Sequence, residues 1–195
     1  MNRLSTYFNA WVISLFCLTA RAQETKSHRW QFHSLNQLGL LEGGSGSAFQ
    51  MQTVNGIAYK GWFSGIGVGI DNYYFRSIPL FLDIRKNFRL GAGYIFTYGD
   101  GGIQFAWLTD RQITDMQNRF WTYSFSNGGY ADLGLGYRIV IKNKLAFLLS
   151  AGYSYKYSEA KVVINYCPLQ EPCDPSHNTY HFNLDRLTFK AGIEF

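Results

Sequence analysis

The feature that most constrains this chain is a strict alternation of apolar and polar residues. In segment 186–195 every odd-numbered residue is apolar, while the even-numbered ones include Arg186, Lys190 and Glu194. A period of two is the period of a β-strand, in which neighbouring side chains point to opposite faces. The segment is therefore predicted to be a strand with one apolar face and one charged face.

The same alternation recurs along the chain, and the recurrence argues for an all-β fold. It is clear in segments 49–53, 65–70, 78–85, 132–141 and 147–156. Trp30–Leu41 is expected to form the first strand, although its alternation is blurred, and Gly93–Trp107 is expected to form one long strand. These segments predict eight antiparallel strands. An alternative treats Gly99–Gly102 as a turn, which splits the long strand and raises the count to ten.

The predicted connections alternate in length. Tight polar turns are expected at 59–61, 86–89 and 142–144, whereas the connections at 42–45 and 71–77 are of moderate length. Leu108–Asn127 and Ser158–Tyr180 are predicted to be long loops, although Trp121, Tyr123 and Phe125 favour an extension of the sixth strand. Short turns on one side and longer loops on the other are typical of transmembrane β-barrels with an up-and-down order.

Composition supports a transmembrane β-barrel and argues against a nucleic-acid-binding protein. Charged residues make up 16% of the chain and aromatic residues 18%, and there are 20 glycines. Soluble domains carry roughly 25% charged residues. The net charge of +5 falls to +3 without the first 22 residues, because Arg3 and Arg21 are the only charges there. The Lys and Arg residues are scattered, so we expect no nucleic-acid partner.

The N-terminus has the pattern of an export signal. Arg3 precedes the apolar stretch 10–20, and Ala20-Arg21-Ala22 fits the small-x-small cleavage pattern. The stretch is shorter than the roughly 20 apolar residues of a membrane-spanning helix. We therefore predict a signal peptide at 1–22 and a mature β-domain at 23–195, which is either a water-soluble β-structure or a membrane barrel.

A barrel in lipid has to close, because lipid offers no partner for an unpaired backbone group. Eight strands leave a lumen just wide enough to be filled by side chains. The alternation predicts that glycines and charges of both signs point inward, forming a polar plug that fills the lumen and leaves no open pore. The predicted lumen network is Asp83, Arg85, Asp100, Asp132, Arg138, Lys156, Arg186, Lys190 and Glu194.

Aromatic residues near the strand ends predict two girdles, since amphipathic rings prefer the membrane–water interface. The girdle at the short-turn side is predicted to contain Tyr59, Trp62, Phe88 and Phe195. The girdle at the other side is predicted to contain Tyr73, Tyr74, Phe75, Trp107, Tyr157 and Tyr180.

Two stretches carry a resemblance to a known family. The C-terminal strand, with Phe189, Ile193 and terminal Phe195, resembles the signal that the barrel-assembly machinery recognises in outer-membrane proteins. The hairpin Thr53–Asp71 (TVNGIAYKGWFSGIGVGID), followed by Arg76–Asn87 (RSIPLFLDIRKN), resembles small outer-membrane β-barrels common in Bacteroidota, of the OmpA/OmpX size class.

This resemblance implies a location, a set of partners and no activity. The location is the outer membrane of a Gram-negative bacterium. The partners are outer-membrane lipid, lipopolysaccharide, periplasmic chaperones and the assembly machinery. No cofactor is implied.

Cys167 and Cys173 remain after the predicted cleavage. In an oxidising compartment such a pair indicates a disulfide, which would close a short loop. A metal site is the alternative, because the spacing C-x5-C-x3-H-x3-H adds His177 and His181 as ligands.

Three functions stay open at this point. The leading hypothesis is a non-enzymatic barrel with a structural or loop-presenting role. The second is an enzyme that modifies lipid A or phospholipid, and the third is a narrow channel. An enzyme would need a nucleophile beside a base. The candidates near the predicted outer rim are His177, His181, Ser158, Ser176, Asp174 and Glu159, whereas His28 and His33 lie near the opposite side.

Overall fold

The structure is a computed structural model that describes residues 29–44, 46–73, 75–108, 110, 113–114, 121–142, 145–164 and 176–195. The predicted signal peptide, Cys167 and Cys173 lie outside the described residues. Within the described part, no helix has the length and hydropathy needed to cross a bilayer. The strands are β1 (Gln31–Glu42), β2 (Ala48–Tyr59), β3 (Trp62–Asn72), β4 (Arg76–Leu90), β5 (Gly93–Ala106), β6 (Trp121–Phe125), β7 (Gly128–Lys142), β8 (Leu145–Ile164) and β9 (Ser176–Glu194).

The strands form one closed antiparallel barrel. Strands β1 to β5 pair in chain order, followed by β5 with β7, β7 with β8 and β8 with β9. Strand β1 then pairs with β9, which closes the sheet. Strands β6 and β7 pair with different parts of β8 and form one barrel strand that is interrupted at Ser126–Asn127. The prediction of eight strands is confirmed, as is the extension of the sixth strand.

The ten-strand alternative is wrong. Gly99–Gly102 lies inside β5, where the four residues pair with Leu133–Tyr130 of β7 and with Ile84–Phe81 of β4. A ladder on both sides keeps this stretch extended although its glycines and Asp100 favour a turn. The predicted loop Ser158–Tyr180 is also shorter than expected, because β8 runs to Ile164 and β9 begins at Ser176.

The register sets the shape of the barrel. Following paired residues from Phe96 of β5 around the barrel leads to Ala106 of the same strand, ten residues further along. The barrel therefore has eight strands and a shear of ten, so the strands are strongly tilted. We call the end that holds the Lys60–Gly61 turn the turn end, and the opposite end the loop end. Both residues of that turn have positive φ, as a tight hairpin turn requires.

The wall is apolar outside and the lumen is filled. Large apolar residues face outward on every long strand, including Ile66, Leu82 and Leu133, which are 62%, 60% and 65% exposed. Inside, an apolar layer towards the turn end contains Leu35, Val54, Phe63, Phe96 and Leu148, whereas Phe81 lies nearer the loop end and packs against Tyr130. The rings fit because glycine lies beside them: a Cβ on Gly136 would stand 2.2 Å from the Phe96 ring.

The aromatic girdle predicted at the loop end needs a correction. Tyr73 and Phe75 are only 4% and 2% exposed, because the connection between β3 and β4 folds over the barrel opening and turns both rings inward. Phe75 packs against Phe125 at 4.7 Å between ring centroids. These two rings cap the lumen and do not face outward. Tyr74 lies outside the described residues.

Candidate functional site

All nine charged side chains of the predicted lumen network lie on the inner face of the barrel. Eight of them are at most 7% exposed. The ninth, Arg138, lies near the turn end, and its side chain is 17% exposed. Alternation along each strand places them there, since each has the parity opposite to the outward apolar residues.

Three carboxylates meet at mid-lumen. Asp83, Asp100 and Asp132 are direct partners on β4, β5 and β7, and directly opposed like charges repel. Arg85 forms an ion pair with Asp83. Its Nε lies 2.8 Å from Asp83 Oδ2, and its Nη2 lies 2.5 Å from the same oxygen. Lys190 reaches across the lumen from β9, with Nζ 3.0 Å from Asp132 Oδ2 and 3.5 Å from Asp100 Oδ2. Two cations therefore hold three buried carboxylates together.

Aromatic faces complete the environment of these cations. The Arg85 guanidinium lies 5.4 Å from the Phe96 ring centroid and 5.6 Å from that of Tyr98. Lys190 Nζ lies 4.2 Å from the Tyr98 centroid, and the Tyr98 hydroxyl donates to Asp132 Oδ1 at 3.0 Å. A cation over a ring is stabilised most when water is excluded. The cluster is thus a packed electrostatic layer across the barrel.

A second ion pair fills the loop half of the lumen. Lys156 Nζ contacts both oxygens of Asp71 at 2.5 and 2.6 Å and the Ser77 hydroxyl at 2.7 Å. Ser77 in turn donates to Asp71 at 2.7 Å. Asp71 was missed as a lumen residue because the sequence placed it at the start of a loop. Its parity, shared with Gly65, Gly67 and Gly69, is the signal that could have found it.

The cap over the loop end is tied to the wall by hydrogen bonds. Arg186 donates to the backbone carbonyls of Gly46 and Tyr73, one in each neighbouring connection. The Tyr73 hydroxyl donates to Ser154. Burial raises the pKa of this hydroxyl in the connection between β3 and β4, so it stays neutral and keeps its proton as a donor. Arg186 therefore holds the β1–β2 and β3–β4 connections against the barrel wall.

At the turn end, Glu194 and Phe195 hold the last strand, β9, against β1, where the barrel closes. Glu194 accepts hydrogen bonds from Arg138 at 2.8 and 2.7 Å, and His33 Nδ1 lies 2.8 Å from Glu194 Oε1. Ser34 and Phe195 exchange two backbone hydrogen bonds of 2.8 and 3.0 Å. The residues of the predicted assembly signal, Phe189, Ile193 and Phe195, are 53%, 49% and 55% exposed on the outer face.

Within the part of the chain that the structure describes, His181 and Glu159 of the candidate catalytic set lie together, but Ser158 does not lie beside them. Ser158 is fully buried on the inner face and donates to the Ser126 carbonyl at 3.1 Å. His181 is exposed on the outer face, where Nδ1 lies 2.8 Å from the Tyr157 hydroxyl and 3.3 Å from Glu159. Ser158 and His181 therefore point to opposite sides of the wall. Asp174 lies outside the described residues.

The alternative of a metal site receives no support from the described residues. His177 and His181 are both exposed on β9, and His177 pairs with Val163 while His181 pairs with Glu159. Across the residues with assigned positions, no three His, Cys, Asp or Glu side chains are arranged to hold a metal ion. Cys167 and Cys173 lie outside that part, so the disulfide stays a prediction.

Solved structures share this fold. Neisserial surface protein A is 10% identical, with a TM-score of 0.51 over 85% of this chain and 95% of its own. The outer membrane protein OprG from Pseudomonas aeruginosa is also 10% identical, with a TM-score of 0.52 over 86% and 96%. No protein-family model and no curated protein sequence matches the chain. The resemblance to Bacteroidota barrels stays a prediction.

Removing one of the two mid-lumen cations is expected to lower the free energy of unfolding strongly. Lys190→Met leaves Asp100 and Asp132 buried without their cation, and breaking a buried ion pair in this way costs about 3–5 kcal/mol. The free energy of unfolding in urea, measured on detergent-folded protein, should fall by that amount.

Two companion variants test the cause of this loss. Adding Asp132→Asn to Lys190→Met should recover part of the stability, because one uncompensated carboxylate is removed. The exposed Lys161→Met control should change stability by less than about 0.5 kcal/mol. An equal, small effect of Lys190→Met and Lys161→Met would contradict the charge balance described above.

Proposed function

We propose that this chain is an integral outer-membrane β-barrel without enzymatic activity, whose closed lumen makes it a rigid support for an extracellular hairpin. The observation that carries the proposal is the combination of a filled lumen with a β8–β9 hairpin much longer than a membrane span.

The outer face supports the membrane location. Every long strand of the wall carries large outward apolar residues, and a water-soluble protein rarely exposes so large an apolar surface. Within the span, where β1 pairs with both β2 and β9, the described strands leave no sheet edge, as a membrane requires. Trp62, Phe88 and Phe195 lie outward at the turn end, and Trp107 lies outward at the loop end. These are the depths at which interfacial aromatic residues are found.

Connection lengths support the orientation. Turns are short at one end and connections are longer at the other, which in bacterial barrels correspond to the periplasm and the exterior. At the loop end, the Arg76 guanidinium lies 3.7 Å from the Trp107 ring centroid. A cation fixed at that level suits the phosphate groups of lipopolysaccharide. The outward C-terminal residues suit recognition by chaperones and the assembly machinery during export.

The filled lumen favours a structural role over a channel. The apolar layer, the three-carboxylate layer and the Lys156–Asp71 pair follow one another along the barrel axis. Opening a path through them would separate buried ion pairs, which is strongly unfavourable.

The hairpin supports the presenting role. Strands β8 and β9 contain 20 and 19 residues, whereas a tilted span needs about 9–11. The surplus continues the barrel wall beyond the loop end and is braced by β6. Phe125 of β6 links Phe75 at 4.7 Å to Phe182 at 6.3 Å. A hairpin held in this way presents its outer face in a fixed orientation, which is where binding residues are usually found.

Removing the surplus tests the presenting role. A variant with residues 161–179 replaced by a two-residue turn should still show the heat-dependent gel mobility of a folded barrel, because the lumen layers remain. It should fail to restore envelope integrity or surface adherence to a strain that lacks the gene. Full restoration by this variant would contradict a presenting role, and Lys161→Met serves as the matched full-length control.

The closed lumen is tested separately by conductance. Protein reconstituted in planar bilayers should give no stepwise currents, since no described layer of the lumen is open to water. Insertion is verified by heat-dependent gel mobility of the same sample. Reproducible current steps from the folded protein would favour the narrow-channel alternative.

A further inference from the structure

A block of polar side chains on β1 and β2 interrupts the apolar outer wall. Asn36 pairs with Thr53, and Asn55 lies two residues further along the same face of β2, so that the three form one block, here called the polar patch. All three alternate with inward residues and so lie on the outer face of their strands. Elsewhere at this height the described outward side chains are large apolar residues such as Leu82 and Leu133, or the hydroxyl residues Ser64 and Thr97, and none of these carries an amide.

The polar patch lies within the apolar belt and not at its rim. Asn36 is five residues from the start of β1 at Gln31, and Asn55 is four residues from the end of β2 at Tyr59. At about 3.3 Å per residue and a tilt near 45°, these positions are roughly 12 and 9 Å above the strand ends. The stacked Trp30 and Tyr59 rings, 4.6 Å apart, mark the interface below them.

The amides of the polar patch have no partner in the described part of the chain. No side-chain hydrogen bond joins Asn36 or Asn55 to a described residue, and both side chains are exposed on the outer face. A primary amide carries two donors and an acceptor, and hydrocarbon satisfies none of them. Polar side chains in a membrane usually face a partner, where they hydrogen-bond across the interface.

The wall beside the polar patch is concave. A groove of about 790 Å³ runs along the outer face, and Asn36 and Thr53 contribute to its lining. Its other walls are apolar and include Leu38, Met51 and Ile70. A groove next to unsatisfied amides offers both shape and hydrogen bonds to a protein surface, whereas a lipid chain can fill the groove but cannot bond to the amides.

The geometry points to a second copy of this chain as the occupant, and this inference rests on the proposed membrane location. Two copies inserted in the same direction are related by a twofold axis along the membrane normal, so contacting residues share one depth. Because the register climbs ten residues over eight strands, the residue of β2 at the depth of Asn36 lies between Thr53 and Asn55.

Asn36 and Asn55 therefore stand at nearly one depth on neighbouring strands. The twofold axis brings Asn36 of one copy to Asn55 of the other, and the reverse pair forms at the same time. Amide donates to amide in both pairs, so the patch is complementary to itself. A different partner would need its own amides or hydroxyls at the same depth.

The dimer is tested first by replacing the amides. The double variant Asn36→Leu/Asn55→Leu suits lipid contact and should fold, as shown by heat-dependent gel mobility. In supported bilayers, single-molecule photobleaching should show two steps for the unaltered protein and one step for the double variant. Its dissociation constant should rise by at least about tenfold. The matched control Thr97→Leu, a polar-to-Leu change on the opposite wall, should remain dimeric.

Cross-linking tests the specific pairing. In a background with Cys167→Ser and Cys173→Ser, copies carrying Asn36→Cys and copies carrying Asn55→Cys are produced together and oxidised in membranes. A cross-linked dimer is expected from this mixture, and none from Leu135→Cys on the opposite wall. A monomeric unaltered protein, equal cross-linking at position 135, or a cross-link only to a different protein would overturn the proposal. Loss of heat-dependent mobility in the unaltered protein would instead contradict the membrane barrel itself.

Discussion

Closure of the sheet between its first and last strands is the constraint on which the rest of this structure depends. The two backbone hydrogen bonds between Ser34 and Phe195 are the last of the ladder that joins β1 to β9. With the ladder closed, every wall strand has a neighbour on both sides, and the outer face can be apolar without leaving backbone groups exposed to lipid. Glu194, held by Arg138, anchors the same seam from inside.

Closure with eight strands and a shear of ten fixes a narrow lumen, and the sequence has to fill it. Glycines make room for the rings of Phe81 and Phe96, and charges of both signs occupy the remaining inward positions. Three directly opposed carboxylates would repel one another in this space, so Arg85 and Lys190 are required between them. The lumen is therefore a packed interior, and it gives the long β8–β9 hairpin a rigid base.

Parity along the strands was sufficient to predict most of this arrangement. The inward position of residues such as Asp83 and Lys190 follows from alternation, which also favoured eight strands with one long β5, although the turn-like Gly99–Gly102 left a count of ten open. Alternation predicts nothing about side chains in the connections between strands. Tyr73 and Phe75 were therefore assigned to an outer girdle, although they turn inward. Alternation also could not show how far β8 and β9 continue. The blurred alternation of β1 has a physical reason, since the polar residues Ser34 and Asn36 occupy positions where the other strands carry apolar residues, and only Asn36 is exposed there.

The central claim is that the apolar face of this barrel lies in lipid. Nitroxide labels at Leu80→Cys, Leu82→Cys and Ile84→Cys, in a background with Cys167→Ser and Cys173→Ser, test it in reconstituted bilayers. All three residues face outward and are 40%, 60% and 53% exposed. We expect each label to collide more often with dissolved oxygen than with a water-soluble nickel chelate. Dominant collisions with the chelate at these positions would contradict the claim and indicate a water-soluble β-structure.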